Sequence, residues 1–184
     1  MGEPGVGEQS VGEQGVGEQS EQAERERTHR AVQRVEQALR DGGVEPRIRW
    51  FETATPTAVA AAAELGIEVG AIANSLVFTF DDEPLLVMTS GAHRVDTAFL
   101  GERLGGRIRR ADPETVKAAT GQTIGGVAPV GHPAPIRTVV DVALAGYPEV
   151  WAAAGHAHTV FPTTFDELVR LTGGEPGPVE PSEV

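Results

Sequence analysis

The chain has 184 residues, no cysteine and a formal net charge of −12. This length suits one ordinary domain with its own core, and the lack of cysteine excludes a disulfide scaffold, thiolate metal sites and a cysteine nucleophile. No apolar run approaches the roughly 20 residues that a membrane-spanning helix needs, and the N-terminus lacks the pattern of a signal peptide. We therefore expect a soluble, cytoplasmic protein that has no membrane partner.

Acidic residues are concentrated at the N-terminus, since the first 24 residues contain six glutamates and no base and the remainder has a net charge of −6. Residues 6–20 repeat with a period of five, and this Gly, Glu, Gln and Ser composition buries too little apolar surface to offset the entropy of ordering. We predict a disordered acidic tail over residues 1–24, a domain over 25–174 and a disordered, proline-rich C-terminus over 175–184. The only mildly acidic domain has no global nucleic-acid footprint, and we expect no DNA partner.

Periodicity and capping signals predict the first elements in chain order. A helix is expected over residues 21–40, with Val32, Val35 and Leu39 on one apolar stripe, followed by a short strand at 48–51. Thr55 and Pro56 are predicted to begin a second helix that ends at Gly66. Two strands follow over 71–80 and 84–90, joined by an acidic hairpin turn. Because both are apolar on both faces, they belong in the centre of a sheet.

The second half alternates short helices with short strands. Asp96, Asp112 and Thr164 are predicted to cap helices, and strands are expected at 107–111, 136–140, 150–154 and 159–161. Several consecutive strands are close enough in sequence to be antiparallel. The fold class is therefore α+β, with a mixed, largely antiparallel sheet flanked by short helices. No helix opens on Gly-x-Gly-x-x-Gly after a strand, which argues against a Rossmann cofactor site.

The segment 120–132 contains four glycines and a proline between two stretches of regular structure. Glycine permits positive φ and close approach of a ligand or another backbone, whereas Pro129 fixes φ and removes a donor. The segment is thus either a rigid ligand-binding loop or a bulge at a corner of the sheet.

Polar residues interrupt strands that should be buried, and they are the first candidates for a site. These are Asn74, Thr89, Ser90 and Asp141. Buried polar groups are either satisfied locally or line a cleft. For Asn74 a structural hydrogen bond and a site remain alternatives, and for Asp141 a helix N-cap is the competing interpretation.

Histidines and basic residues form two further groups. His156 and His158 alternate on one strand, but His132 is not at a recognised spacing for a third metal ligand, so no metal site is expected. No Gly-x-Ser-x-Gly elbow supports a serine hydrolase. Basic residues that could form either a phosphate-binding face or a solvated surface balanced by nearby acids are Arg94, Arg103, Arg107, Arg109, Arg110 and Lys117.

Five motifs, in this order, resemble the YbaK/prolyl-tRNA synthetase-associated editing domain. They are Ala-Ile-Ala-Asn-Ser-Leu-Val-Phe at 71–78, Leu-Val-Met-Thr-Ser-Gly at 86–91, the glycine-rich segment at 120–131, Thr-Val-Val-Asp at 138–141 and Trp-Ala-Ala-Ala-Gly-His at 151–156. The likeness extends from about Ala31 to Gly173. It implies an α+β trans-editing deacylase that hydrolyses a mischarged tRNA, typically for proline, either alone or with an aminoacyl-tRNA synthetase.

The resemblance also implies roles for individual residues. Family members use no metal, cofactor or protein nucleophile. Gly125, Gly126 and Pro129 would form the loop that presents backbone donors to the substrate, with Gly126 leaving the space that the substrate needs. With Asn74 these glycines are the catalytic candidates, and the substrate-binding candidates are Thr89, Ser90, Pro129, His132, Asp141, Gly155 and His156. The tRNA-contacting candidates are Arg94, Arg107, Arg109, Arg110 and Lys117.

One position departs from the family pattern, because Asn74 stands where members carry a lysine. An asparagine offers neutral donors and an acceptor instead of a charge. The hypotheses are a deacylase with altered activity or specificity, and a non-catalytic binder of aminoacyl-tRNA or an aminoacyl ligand. A third hypothesis is a scaffold protein that acts through its acidic tail.

Overall fold

The structure is a computed structural model that describes residues 29–182. The predicted tail over residues 1–24 lies outside the described residues. Within the described range, five α-helices flank one eight-stranded sheet. The helices are α1 (Arg30–Asp41), α2 (Ala58–Leu65), α3 (Thr97–Leu104), α4 (Pro113–Thr120) and α5 (Phe165–Thr172). The strands are β1 (Arg49–Trp50), β2 (Ile72–Phe80), β3 (Glu83–Ser90), β4 (Ile108–Arg110), β5 (Arg137–Asp141), β6 (Val150–Ala153), β7 (Thr159–Thr163) and β8 (Glu175–Gly177).

The sheet is mixed, which confirms the predicted α+β class. Its order is β1-β7-β6-β2-β3-β5-β8, and β4 pairs separately with β2. The β2–β3 hairpin is central, as the apolar pattern predicts, and its turn at Asp81 and Asp82 has positive φ at both residues (48° and 73°). The pairs β2–β6, β3–β5 and β5–β8 are parallel, and the others are antiparallel.

Most helix ends lie where the sequence signals predict them. Asp96, Asp112 and Thr164 each accept a hydrogen bond from a first-turn N–H, and Gly66, Gly105, Gly121 and Gly173 end helices in the left-handed conformation. One predicted start is wrong, because the cap of α2 is Thr57, whose hydroxyl accepts from the Ala60 N–H. Helix α1 begins at Arg30 after a non-helical His29, and residues 21–28 of the predicted helix lie outside the described residues.

Hydrophobic side chains cover both faces of the sheet. On one face, α1 and α5 pack their apolar stripes, including Val35, Leu39 and Leu168, against Met88 and Phe161. On the other face, Phe78, Leu85, Val87 and Val139 pack against Leu100 of α3. No helix among the described residues is long and apolar enough to cross a membrane.

The prediction of disorder beyond Gly174 is wrong for the described residues 175–182. Residues Glu175–Gly177 form β8 beside β5, and Val179 is fully buried in the α3 face of the sheet. The Arg103 guanidinium secures this segment by donating to the carbonyl oxygens of Pro176 and Pro178 and by pairing with Glu175 at 2.7 Å. The prolines suit this segment because β8 is the edge strand of the sheet.

Candidate functional site

A cleft of about 320 Å³ lies where the sheet is interrupted beside β2. On one side, β2 pairs with β3 along its whole length. On the other side, it pairs with β6 only at Ile72 and Ala73 and with β4 only from Phe78 onward. The edge of β2 between these two partners lines the cleft, and residues from both faces of the sheet form its walls.

Backbone groups of Ser75 and Val77 are free on this edge among the described residues. The Val77 carbonyl points toward the β4 side, where it accepts from the Ala111 N–H at 3.4 Å. Alternate residues of a strand direct their N–H and C=O groups to the same side, so those of Ser75 also face the gap. Neither β4 nor β6 pairs with Ser75. Among the described residues the Val77 N–H also has no acceptor, so the interrupted strand edge offers the cleft two donors, from Ser75 and Val77, and the Ser75 carbonyl as an acceptor.

Two side chains of the cleft are uncommitted. The hydroxyls of Thr55, Thr57, Ser75 and Thr159 all have partners in the protein, including the Met88 sulfur at 3.2 Å from Ser75 Oγ. The half-buried Asn74 amide and the exposed Arg110 guanidinium have no hydrogen-bond or ion-pair partner among the described residues. The Asn74 amide is not among the buried unpaired atoms of the described residues, so its polar atoms can bond to water or to a ligand in the cleft.

Apolar side chains make up most of the remaining walls. Residues of α2, α4 and β6 contribute Ala61, Val116 and Trp151, and Val127 comes from the glycine-rich segment. The Arg49 guanidinium lies 5.7 Å from the Trp151 ring centroid, within the range of a cation–π contact. Such walls reduce competition from water for hydrogen bonds made inside the cleft.

The buried Gln122 side chain holds the glycine-rich segment in shape. Its Oε1 accepts from the Ala128 N–H at 2.6 Å, and its Nε2 donates to the Val130 carbonyl at 3.2 Å. Gly125 lies within this bracket at φ +91° and lines the cleft, and its N–H has no acceptor among the described residues. The segment is therefore a rigid loop with one unpaired backbone donor at a residue that lines the cleft.

Gly126 has a different role from the one predicted. Its N–H donates to Thr123 O and its carbonyl accepts from the Gly155 N–H. A Cβ at this position would lie 2.6 Å from the His156 carbonyl carbon. The space beside Gly126 is thus filled by the protein's own backbone, and the expectation that it accommodates the substrate is wrong.

Two neighbours of Gly126 also lie outside the lining. Pro129 is buried. Gly155 has φ +101° and packs against α1, where a Cβ would lie 3.0 Å from the Ala31 carbonyl carbon. Both residues shape the loops behind the cleft.

Thr89, Ser90 and Asp141 form a separate polar cluster and do not line the cleft. The carboxylate of Asp141 is only 1% exposed, and it accepts from the Thr89 hydroxyl, the Ser90 N–H and the Ala143 N–H. His93 Nδ1 lies 3.0 Å from the same carboxylate. The Asp141 carboxylate caps the 3₁₀ turn after β5 by accepting from the Ala143 N–H. This contact agrees with the capping interpretation of Asp141.

The three predicted histidines also lie outside the lining. His132 Nε2 lies 2.8 Å from the Ala128 carbonyl, and the neutral ring with a proton on Nε2 donates this bond. Burial lowers the pKa of His132, against a smaller opposing effect of the same hydrogen bond. His156 and His158 pack beside each other with ring centroids 5.2 Å apart, next to the turn that supports Gly126.

The predicted basic face is dispersed. Arg110 lines the cleft, whereas Arg107 and Arg109 border a smaller depression with Asp81 and Asp82. Lys117 Nζ donates to Gly121 O, and the Arg94 N–H donates to Glu180. Only Arg110 of this group combines a free charge with a place in the cleft.

Of the predicted site residues, the structure brings together Asn74, Gly125 and Arg110. Sequence analysis missed the free peptide of Ser75, the Thr55–Thr57 wall and the Gln122 bracket. The available signal was the position of Gln122 inside a glycine-rich segment, because an amide side chain can bond to two peptide groups of the same loop. The gap in the sheet depends on strand register, which no local pattern encodes.

Residues 52–171 match the family model of the aminoacyl-tRNA editing domain. The chain is 31% identical over 123 residues to the protein YwhH of Bacillus subtilis (strain 168), covering 66% of this chain and 78% of that one. The crystal structure of a candidate trans-editing enzyme for prolyl-tRNA synthetase superposes with a TM-score of 0.78 at 39% identity, covering 83% of this chain and 98% of that one. The crystal structure of a hypothetical protein gives 0.74 at 28% identity, with 79% and 98% covered.

Proposed function

Because the chain belongs to the aminoacyl-tRNA editing domain family, we propose that it is a trans-editing deacylase acting on mischarged tRNA for proline. The reaction hydrolyses the ester between a wrong amino acid and the 3′ end of the tRNA. The observation that carries the proposal is the cleft at the interrupted edge of β2, where free neutral donors face an apolar chamber. The likeness to a candidate trans-editing enzyme for prolyl-tRNA synthetase supports the choice of tRNA and a synthetase as partner.

The free groups of the cleft have complementary roles in this proposal. The N–H groups of Ser75 and Gly125 donate to the ester carbonyl oxygen, which gains negative charge when water attacks. The Asn74 amide orients the ester or the water beside it. Arg110 is positioned to contact a phosphate of the 3′ end. Positioning and backbone donors supply the catalysis, with water as the nucleophile.

A second candidate function, binding of the substrate without hydrolysis, is based on Asn74. A hydrogen bond to a charged group is worth roughly 1.5–3 kcal/mol, against about 1 kcal/mol between neutral groups. Replacing a lysine by Asn74 therefore lowers the rate of hydrolysis or changes the preferred amino acid. If the loss is complete, the protein is a binder of aminoacyl-tRNA or an aminoacyl ligand.

Single-turnover deacylation of alanyl-, cysteinyl- and seryl-tRNA for proline tests both candidates. We expect the wild type to hydrolyse at least one of these substrates. The variant Asn74→Lys tests the missing charge, and Gln37→Lys adds the same charge on the exposed face of α1 as a matched control. An inert wild type beside an active Asn74→Lys would favour the binder, and inactivity of both with every substrate would refute the deacylase.

A further inference from the structure

Four rings form a half-exposed cluster that the proposed chemistry leaves unused. This ring cluster consists of Trp50, His29, His156 and His158. The His29 and His156 centroids are 4.6 Å apart, those of Trp50 and His156 are 5.4 Å apart, and those of His156 and His158 are 5.2 Å apart. Aromatic rings in this number at a partly exposed site provide a surface for stacking.

The ring cluster directly adjoins the cleft. Thr159 lines the cleft one residue after His158, and Gly125 lines it one residue before Gly126, whose backbone abuts His156. The Thr55 N–H donates to the Ala157 carbonyl, so the cleft wall at Thr55 is attached to the turn between His156 and His158. A polynucleotide whose terminal residue enters the cleft would therefore meet these rings next.

Two imidazoles of the cluster, those of His29 and His156, have lowered pKa values and favour their uncharged form. Burial lowers the pKa of His156, and His29 and His158 lower it further by repulsion. Burial also lowers the pKa of His29, with an added contribution from the charge of Lys117. Neutral imidazole stacks on bases as other aromatic side chains do. The buried His29 Nδ1 has no hydrogen-bond partner among the described residues.

One cationic side chain lies close enough to the ring cluster to act on it. The charge of Lys117 lowers the pKa of His29, and its Nζ donates to Gly121 O at the end of α4. Among the described residues, neither the lining of the cleft nor the ring cluster contains an acidic residue. A polyanion therefore meets no like charge in the cleft or on the rings.

We propose that the ring cluster binds the unpaired nucleotide that precedes the terminal adenosine of the tRNA 3′ end, by stacking its base against Trp50 and His156. This inference rests on the proposed function, which places the 3′ end of the RNA in the cleft and so puts the preceding nucleotide outside it. It makes the cluster a subsite for RNA next to the ester-binding cleft. Lys117 contacts the adjoining phosphate.

Binding of an uncharged acceptor-stem microhelix with a 3′ CCA overhang, followed by fluorescence anisotropy, tests the subsite. The probe is compared with the same microhelix carrying an abasic nucleotide at the penultimate position. We expect Trp50→Ala and the abasic probe each to weaken wild-type affinity roughly five- to hundredfold, as for one lost aromatic–base stack. Combined, they should weaken it no more than either change alone, because both remove the same contact.

Trp50→Phe keeps a ring and should retain most of the affinity, and Val59→Ala is a control at a side chain that is 70% exposed. Equal affinity of Trp50→Ala and wild type, or fully additive losses, would overturn the subsite. Hydrolysis of alanyl-adenosine, which lacks the preceding nucleotide, should be unchanged in Trp50→Ala. Inability of the wild type to hydrolyse any ester would instead refute the deacylase, while the binding comparison would still decide the subsite.

Discussion

At the scale of single residues, Asn74 is the clearest test of the cleft. Its half-buried amide has no partner among the described residues, so its removal leaves no other protein group unpaired. We expect Asn74→Ala to slow single-turnover deacylation about fivefold or more, the equivalent of one neutral hydrogen bond. The melting temperature should stay within a degree or two of the wild type. Unchanged deacylation would exclude Asn74 from the reaction.

His132 gives a pH-dependent prediction. Burial lowers its pKa in the folded state below the unfolded value of 6.5, so the unfolded chain binds more protons below that pH. The free energy of unfolding should therefore decrease as the pH falls below 6.5, and His29 and His156 contribute in the same direction. The slope per histidine cannot exceed about 1.4 kcal/mol per pH unit.

His132→Gln separates this contribution, because the glutamine amide can still donate to Ala128 O but does not titrate. Urea unfolding between pH 7.5 and 5.5 should show a smaller decrease in stability for the variant than for the wild type. Identical slopes would show that His132 does not resist protonation in the fold.

At the scale of elements, the C-terminal strand β8 is part of the domain. Val179 is fully buried against the α3 face although prolines surround it in sequence. Val179→Ala should lower the free energy of unfolding by about 1.5–3 kcal/mol, the value of burying such a side chain. Urea denaturation measures this, with Val59→Ala as the exposed control. Equal midpoints for Val179→Ala and the wild type would contradict the packing of this segment.

The elements themselves were largely predictable because their signals are local. Asp96, Asp112 and Thr164 cap helices by bonding to residues two or three positions away, and each prediction is confirmed. The apolar pattern of β2 and β3 also placed them correctly in the centre of the sheet. Local composition failed at β8, where a single valine and tertiary contacts of Arg103 outweigh three prolines.

The site was less predictable because it depends on distant pairings. Asn74 and Thr89 are register partners on adjacent strands, yet Asn74 lines the cleft and Thr89 bonds to the buried Asp141. Gly125 and Gly126 are consecutive, yet only Gly125 lines the cleft. Of two adjacent polar residues or two adjacent glycines, one thus lines the cleft and the other supports it from behind. Tertiary packing decides which, and the sequence does not display that packing.

At the scale of the whole molecule, the acidic repeat tests the scaffold hypothesis. The residues to which we assign the chemistry and the RNA contacts, from His29 to Thr159, all follow the repeat in the chain. We expect deletion of residues 1–24 to leave single-turnover deacylation unchanged and tRNA affinity equal or slightly higher, since six negative charges are removed. A large loss of tRNA binding would assign the tail a direct role.

The most direct test of the account is whether the interrupted edge of β2 receives the aminoacyl ester. A non-hydrolysable amide analogue of alanyl-adenosine, titrated into ¹⁵N-labelled protein, reports this through backbone amide shifts. We predict that the largest changes occur at the Ser75 and Gly125 amides and the Asn74 side chain, with little change at Ser90 and Ala143 around Asp141. Changes centred on the Asp141 cluster, with none at Ser75 and Gly125, would contradict the assignment of the cleft as the editing site.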